Sequence, residues 1–401
     1  MKTLLKFLSL SVASMFMFSA VGLSTGCGNT ENEASFFSSI VIAQADGSEE
    51  YVPSINAEQP EEVEIALLSG DIYTVSKEYK KFITDNYNPR NEDVFAPTPI
   101  KISWTSAETP IYYEFLISTS NDMSNATTYM VNKSSVTLEN LFMGYDYYYQ
   151  INAKFDDKLV KSRIFKFSTE YLPRTVFVDE NVSNTRDWGG YYTVDGKHRV
   201  KQGIVYRGGK LETISEKGKA IMLESLGIKT DLDVRGDGTG SKSSPLGDTV
   251  NYVETLGPYY VGGGVGIDFS GTLTADRLKY KEALITEIKT FANPDNFPVY
   301  VHCSLGRDRT GTICFLINAL LGVGEIDLFR DYELSMMSQT GTADNQTAMH
   351  MVGYAFNTLY NYIKNFQRNK TLAENAEAYM LSIGITQGEI DAIRNNMLEK
   401  A

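Results

Sequence analysis

Cysteine and histidine are both scarce in this chain of 401 residues, with three of each. Cys27, Cys303 and Cys314 are too few for a disulfide framework. His198, His302 and His350 stand in unrelated contexts, without metal-ligand spacing. No metal or other cofactor is expected. A basic run is also missing. The formal charge is -13, so a nucleic-acid partner would have to be bound against the protein's own field, and none is expected. Apolar residues are not lacking. A hydrophobic fraction of 42% excludes a mainly disordered chain, and the length suits roughly two or three folded units.

Lys2 and Lys6 precede an uncharged apolar stretch from Phe7 to Leu23, the outline of a secretory signal. Leu23-Ser-Thr-Gly-Cys27 resembles a bacterial lipobox, with Ser24 where that motif usually has leucine. The resemblance implies removal of residues 1–26, lipid attachment at Cys27 and a membrane-anchored exported protein, periplasmic or at the cell surface. Residues 27–92 are polar, rich in Glu, Ser and Asn, and read as a tether.

From Pro97 the hydrophobic period becomes two: Ile100–Trp104, Tyr113–Ile117, Tyr147–Ala153 and Ile164–Phe167 alternate as half-buried strands do. Residues 93–171 are therefore expected as a small antiparallel β-sandwich with Trp104 and alternate tyrosines inside. The tryptophan strand, Val136–Leu141 before Gly144, the Tyr-x-Tyr-x-Ile-x-Ala strand and Phe167-Ser-Thr169 resemble a fibronectin type III domain. A spacing or docking role is expected of it.

Residues 172–401 alternate strand and helix signals, which predicts an α/β domain with a central sheet flanked by helices. Thr213-Ile-Ser-Glu216 has capping-box spacing before a helix that Gly227 would stop, and a strand is expected over Ile228–Val234. A helix follows over Ala275–Ala292, then a buried strand over Phe297–His302. Amphipathic helices over Ala348–Phe366, Leu372–Ile383 and Gln387–Leu398 should pack on the sheet.

The strand ending at His302 runs straight into Cys303-Ser-Leu-Gly-Arg-Asp-Arg309-Thr310-Gly311, and an apolar helix is expected over Thr312–Leu321. Strand, tight loop and helix N-terminus in that order make an anion cradle, where converging amides and the helix dipole favour phosphate. A cysteine at the start of the loop sits in the same field, which favours its thiolate. Arg309 offers a planar fork for two phosphate oxygens, and Gly306 lets the backbone turn close to a ligand. Ser304, Leu305, Gly306, Arg307, Asp308 and Arg309 are the expected phosphate-binding residues. Cys314 falls inside the apolar helix and reads as core.

Val301–Gly311 matches the His-Cys-x5-Arg-Thr/Ser signature of the cysteine-dependent protein tyrosine phosphatase superfamily. Asn184–Gly190, Val205–Arg207, Leu226–Arg235 and Asp331–Ser335 resemble the motif order of the secreted bacterial members found in mycobacteria and Listeria. The Asp231-Leu-Asp233-Val-Arg235 stretch departs from their simpler Asp-Leu-Arg. The resemblance implies attack by Cys303 on a phosphomonoester, binding by Arg309, help from Thr310 to the sulfur, and loop support from His302. It implies no metal. Arg207, Arg235 and Asp187 are expected in structural ion pairs.

Two aspartates compete as general acid: Asp308 within the loop, and Asp268 upstream, preceded by Gly262-Gly-Gly264, which would let its loop move. Phosphorylated proteins are the expected substrates. Arg307 resembles the basic loop residue of phosphoinositide-directed relatives, which leaves phosphoinositides as the alternative. A surface lipoprotein that binds phosphate or phosphopeptides without turnover is the alternative of another class.

Overall fold

A computed structural model describes residues 36–44, 99–169, 171, 174–176, 178, 179, 181–236, 241–257, 266–337 and 355–401. The chain divides into two compact units. The signal segment 1–26, Cys27 and Gly262–Gly264 lie outside the described residues.

The first unit is all β. One sheet has the order β1-β2-β5, built from Phe37–Gln44, Ile100–Ser106 and Ser135–Leu138. The other has the order β4-β3-β6-β7, with β8 also on β6; these strands are Tyr112–Ser118 (β3), Thr127–Val131 (β4), Asp146–Lys154 (β6), Leu159–Lys161 (β7) and Phe165–Ser168 (β8). The pairs β1–β2, β2–β5, β3–β4, β3–β6 and β6–β7 are all antiparallel. Trp104 on β2 packs edge-on against Tyr113 on β3, with centroids 5.2 Å apart. Phe115 stacks between Trp104 and Tyr149. The expected strands are present, and their alternate residues do form the core. The tether expected over 27–92 needs correction at Phe37–Gln44, which pairs with β2 from Phe37↔Ser106 to Gln44↔Ile100. A short run with Ile40, Val41 and Ile42 has strand propensity of its own, and Phe36 and Phe37 are buried.

The second unit takes Glu139–Asp146 and everything from Phe167. Its main sheet has the order β13-β12-β14-β11-β9: Asn251–Glu254, Thr230–Asp233, Val299–His302, Val205–Gly208 and Arg186–Asp187. The first four strands are parallel and β9 is antiparallel. Strands β12, β14 and β11 are buried along their whole length, as parallel strands covered on both faces must be. His198–Val200 (β10) pairs with Leu398–Lys400 (β15).

The helices are α1 (Glu216–Ala220), α2 (Ala275–Thr290), α3 (Asp308–Leu321), α4 (Glu325–Glu333), α5 (Ala355–Lys364), α6 (Leu372–Ile383) and α7 (Gln387–Met397). The cap of α1 is Ser215, whose hydroxyl accepts from the Gly218 amide; Thr213 does not fill that place. Helix α1 continues into a π turn over Ile221–Ser225, and Gly227 at φ +67° follows it. Capping boxes at Thr371 with Glu374 and at Thr386 with Glu389 start α6 and α7. The helix after the cysteine loop, α3, also differs from the sequence reading. It begins at Asp308, four residues before the expected Thr312, so Asp308, Arg309 and Thr310 form its first turn.

Candidate active site

Strand β14 delivers Cys303 to the N-terminal end of α3, and residues 303–307 make the turn between them. Gly306 sits at φ +65°, and a Cβ there would lie 2.2 Å from the Gly208 carbonyl oxygen. Only glycine fits.

Four consecutive carbonyls of the turn are held from outside. His302 Nδ1 lies 3.3 Å from the Cys303 oxygen. The Lys210 amide donates to Ser304 at 3.3 Å. Asn184 Nδ2 donates to Leu305 and Gly306 at 3.0 and 3.1 Å, and Arg207 Nη2 to Gly306 at 2.9 Å. In a trans peptide the N–H points opposite to the preceding C=O, so holding these oxygens outward turns the amides of 304–307 inward. The result is an anion nest beside a helix N-terminus.

The Cys303 thiol lies in this nest and is only 6% exposed. Burial alone would raise its pKa. The Thr310 hydroxyl and the amides of Thr310 and Leu305 outweigh that penalty and bring it below the ordinary thiol value, against a repulsive contribution from Asp308. The buried Thr310 hydroxyl is the largest of the contributions that favour the thiolate. Cys314, by contrast, is buried in α3 and pushed up to about 12 by burial. It is inert core, as the sequence predicts.

Arg309 rises from the first turn of α3, with Nη1 donating to the Arg235 carbonyl at 3.1 Å. Arg307 is held differently from a residue reserved for phosphate. Its guanidinium grips the neighbouring Asp308 carboxylate, with Nε 3.1 Å and Nη2 3.0 Å from Oδ2, and its side chain is only 11% exposed. Tyr332 Oη donates to Asp308 Oδ1 at 2.9 Å. Asp308 therefore stands at the nest, close enough for its charge to act on the thiol. Asp268 is engaged elsewhere. It accepts from the Ser270 hydroxyl and amide at 2.7 and 3.0 Å and from Tyr362 at 3.1 Å. The Ser270 hydroxyl is the main cause that holds its carboxyl below the usual range.

The support around the loop is ionic and buried. Arg207 and Arg186 share Asp331, and Arg186 also donates to the Asn184 carboxamide oxygen. Arg235 is gripped by Asp233 at 2.6 Å and Glu212 at 2.5 Å. Arg174 pairs with Asp187 at 2.6 Å. Arg207, Arg235 and Asp187 are thus in ion pairs, as expected. His302 Nε2 lies 2.9 Å from Asp231 Oδ1, with both side chains buried. Asn184, Asp331, Tyr332 and Asp231 are the site residues to which the sequence gives no role. Their motifs stand out in the sequence, but their targets lie far along the chain. Among the described residues no cluster of three or more His, Cys, Asp or Glu could hold a metal ion. No described helix is long and apolar enough to cross a membrane.

Residues 179–399 match a family model described as the tyrosine phosphatase family. A Cupriavidus necator protein named among the tyrosine-protein phosphatases is 27% identical over 188 residues, 42% of this chain and 66% of its own length. A Dictyostelium discoideum protein named as a probable tyrosine-protein phosphatase is 36% identical over 52 residues, 13% of this chain and 31% of its own. The chain thus spans less than two thirds of either relative. Among solved structures, the core catalytic domain of the PP-IP phosphatase SIW14 from S. cerevisiae aligns with 42% of this chain and 91% of its own, at 16% identity and a TM-score of 0.24.

Proposed function

Since the chain belongs to the tyrosine phosphatase family, we propose that it hydrolyses phosphomonoesters of tyrosine type through a cysteinyl-phosphate intermediate. The observation that carries this reading is the Cys303 thiol, brought below its ordinary pKa inside a nest of inward-turned amides at the start of a helix. The thiolate attacks phosphorus, the P–S bond forms, and the P–O bond to the leaving group breaks. Arg309 and the loop amides hold the equatorial oxygens as charge shifts. Asp308 gives its proton to the departing oxygen. Water then attacks phosphorus, Asp308 takes a proton back, and the P–S bond breaks to return the thiolate, which the Thr310 hydroxyl stabilises. Asp308 is favoured over Asp268 as the acid because it stands at the nest, whereas the bonds of Asp268 run to Ser270 and Tyr362.

Phosphotyrosine is the favoured substrate over phosphoinositides, since Arg307, the residue on which the lipid reading relies, is committed to Asp308. The intact nest speaks against a binding protein without turnover. Hydrolysis of p-nitrophenyl phosphate by the wild type and its loss in Cys303→Ser test the reading. Absence of turnover in the wild type at any pH overturns it. A panel of phosphotyrosine, phosphoserine and phosphoinositide substrates ranks the classes.

The leader and the Leu23–Cys27 motif support export as a lipoprotein, and labelling of the wild type but not Cys27→Ser by a radioactive fatty acid tests it. The antiparallel unit, with Trp104 in its core, is read as a fibronectin type III-like spacing or docking module.

A further inference from the structure

The carboxylate of Asp308, the proposed acid, has two chemically different partners. Arg307 Nη2 lies 3.0 Å from its Oδ2, and Tyr332 Oη donates to its Oδ1 at 2.9 Å. A guanidinium only donates, so Arg307 matches the ionised carboxylate and offers nothing to a proton carried on it. A phenol both donates and accepts. Tyr332 can therefore stay bonded to Asp308 in either protonation state. Its ring is also held in place. Tyr332 lies at the end of α4, 24 residues from Asp308 along the chain, and is 1% exposed. The ring stacks on Phe356 of α5, with centroids 4.4 Å and planes 24° apart. It also lies close against α3 at Gly311, where a Cβ would come within 3.0 Å of the ring atoms Cδ2 and Cε2. Gly311 and Asp308 are three residues apart and share one face of that helix. The missing side chain at Gly311 thus brings the ring near enough for its hydroxyl to reach Asp308.

Resting on the phosphatase reading above, we propose that Tyr332 is a positioning residue for the general acid: its hydroxyl holds the Asp308 carboxyl at the nest through both steps of the reaction. Tyr332 transfers no proton itself. In the first step the proton leaves Asp308 for the departing oxygen, and in the second Asp308 regains one from the attacking water. Tyr332 remains its partner across that change, which Arg307, as a donor alone, does not match. What Tyr332 supplies is aim, so its effect is confined to esters whose P–O bond needs the proton in order to break.

The test uses the full chain and two esters: phenyl phosphate, with a poor leaving group, and p-nitrophenyl phosphate, with a good one. Tyr332→Phe removes one oxygen and keeps the ring against Phe356 and Gly311. Asp308, with 24% of its side chain exposed, can take water in place of the hydroxyl, so the fold should survive. The ratio of kcat on phenyl phosphate to kcat on p-nitrophenyl phosphate is compared in the wild type, Tyr332→Phe, Asp308→Asn and the double variant. In Tyr332→Phe that ratio should fall by about tenfold, less than in Asp308→Asn. The double variant should match Asp308→Asn, because an acid that is absent cannot be aimed. A merely structural tyrosine would lower both rates together, and lower them again in the Asp308→Asn background. That result, or a wild-type ratio in Tyr332→Phe, overturns the proposal. A wild-type ratio in Asp308→Asn overturns it along with the choice of acid, and leaves the phosphatase reading standing. A wild type that hydrolyses neither ester defeats the phosphatase reading, and the positioning role with it.

Discussion

At the scale of single residues, the chemistry depends on which groups reach the sulfur and which reach the leaving group. Asp308 bears on the first through its charge, which opposes ionisation of Cys303, and it is the acid proposed for the second, with its carboxylate held by Arg307 and Tyr332. Asp308→Asn should therefore slow hydrolysis of esters with poor leaving groups by roughly 10²- to 10⁴-fold, while p-nitrophenyl phosphate, whose phenolate needs little protonation, loses much less. Asp268→Asn should leave both rates near wild type. The reverse pattern would move the acid to Asp268. At Gly306 the backbone itself is the constraint. Gly306→Ala places a methyl against the Gly208 carbonyl and needs a positive φ, so kcat should fall at least tenfold even where the fold survives. A rate equal to wild type contradicts the tight contact. The strand–loop–helix that gathers Cys303 to Thr310 was legible in the sequence as one contiguous motif. Contacts that depend on partners far along the chain were not: Asn184 reaches the loop across more than a hundred residues, and no local pattern announces that contact.

At the scale of elements, the strands and helices around the loop follow the hydrophobic period, and their ends differ where caps decide. Helix α6 matches its expected bounds because Thr371 and Glu374 form the capping box. Helix α3 starts earlier than its apolar pattern, because its first turn is polar and faces the anion nest. Strand β1 was hidden by the polar stretch around it. Element α2 carries a separate consequence. Glu287 is buried, and burial pushes its carboxyl up to about 8 despite a 2.7 Å bond from the Thr255 hydroxyl. The native state then keeps a proton that the unfolded chain gives up near 4.5. Stability from this group is full below the unfolded pKa and declines as pH rises toward the folded one. Glu287→Gln keeps the shape and the neutral charge and removes the titration. Its melting temperature should gain on wild type between pH 5 and pH 8; a constant difference across that range would show that Glu287 titrates normally.

At the scale of the whole molecule, the formal charge of -13 surrounds the nest for which a phosphate ligand is proposed. The cations nearest the loop are largely spoken for: Arg186 and Arg207 by Asp331, Arg235 by Asp233 and Glu212, and Arg307 by Asp308. Acidic phosphopeptides should therefore approach against the field, and their KM should fall as salt rises from 50 to 300 mM, about where screening shortens from beyond 10 Å to under it. A KM that rises with salt would indicate local attraction instead. The α/β class and the β-rich unit were readable from periodicity, since period two and alternating strand-helix signals are properties of long stretches. The division of the chain was less so, because Glu139–Asp146 belongs with the second unit. It is secured there by Arg174 donating to the Asn140 carbonyl and by Gln202 bonding the Met143 backbone, contacts that no strand pattern encodes. All of these scales serve one sulfur. The most direct measurement is rapid-quench trapping of the enzyme during turnover of a ³²P-labelled phosphotyrosine peptide, followed by mapping of the label. The account predicts phosphate on the Cys303 peptide and none in Cys303→Ser; turnover with the label on another residue, or with no labelled enzyme and activity retained in Cys303→Ser, would contradict it.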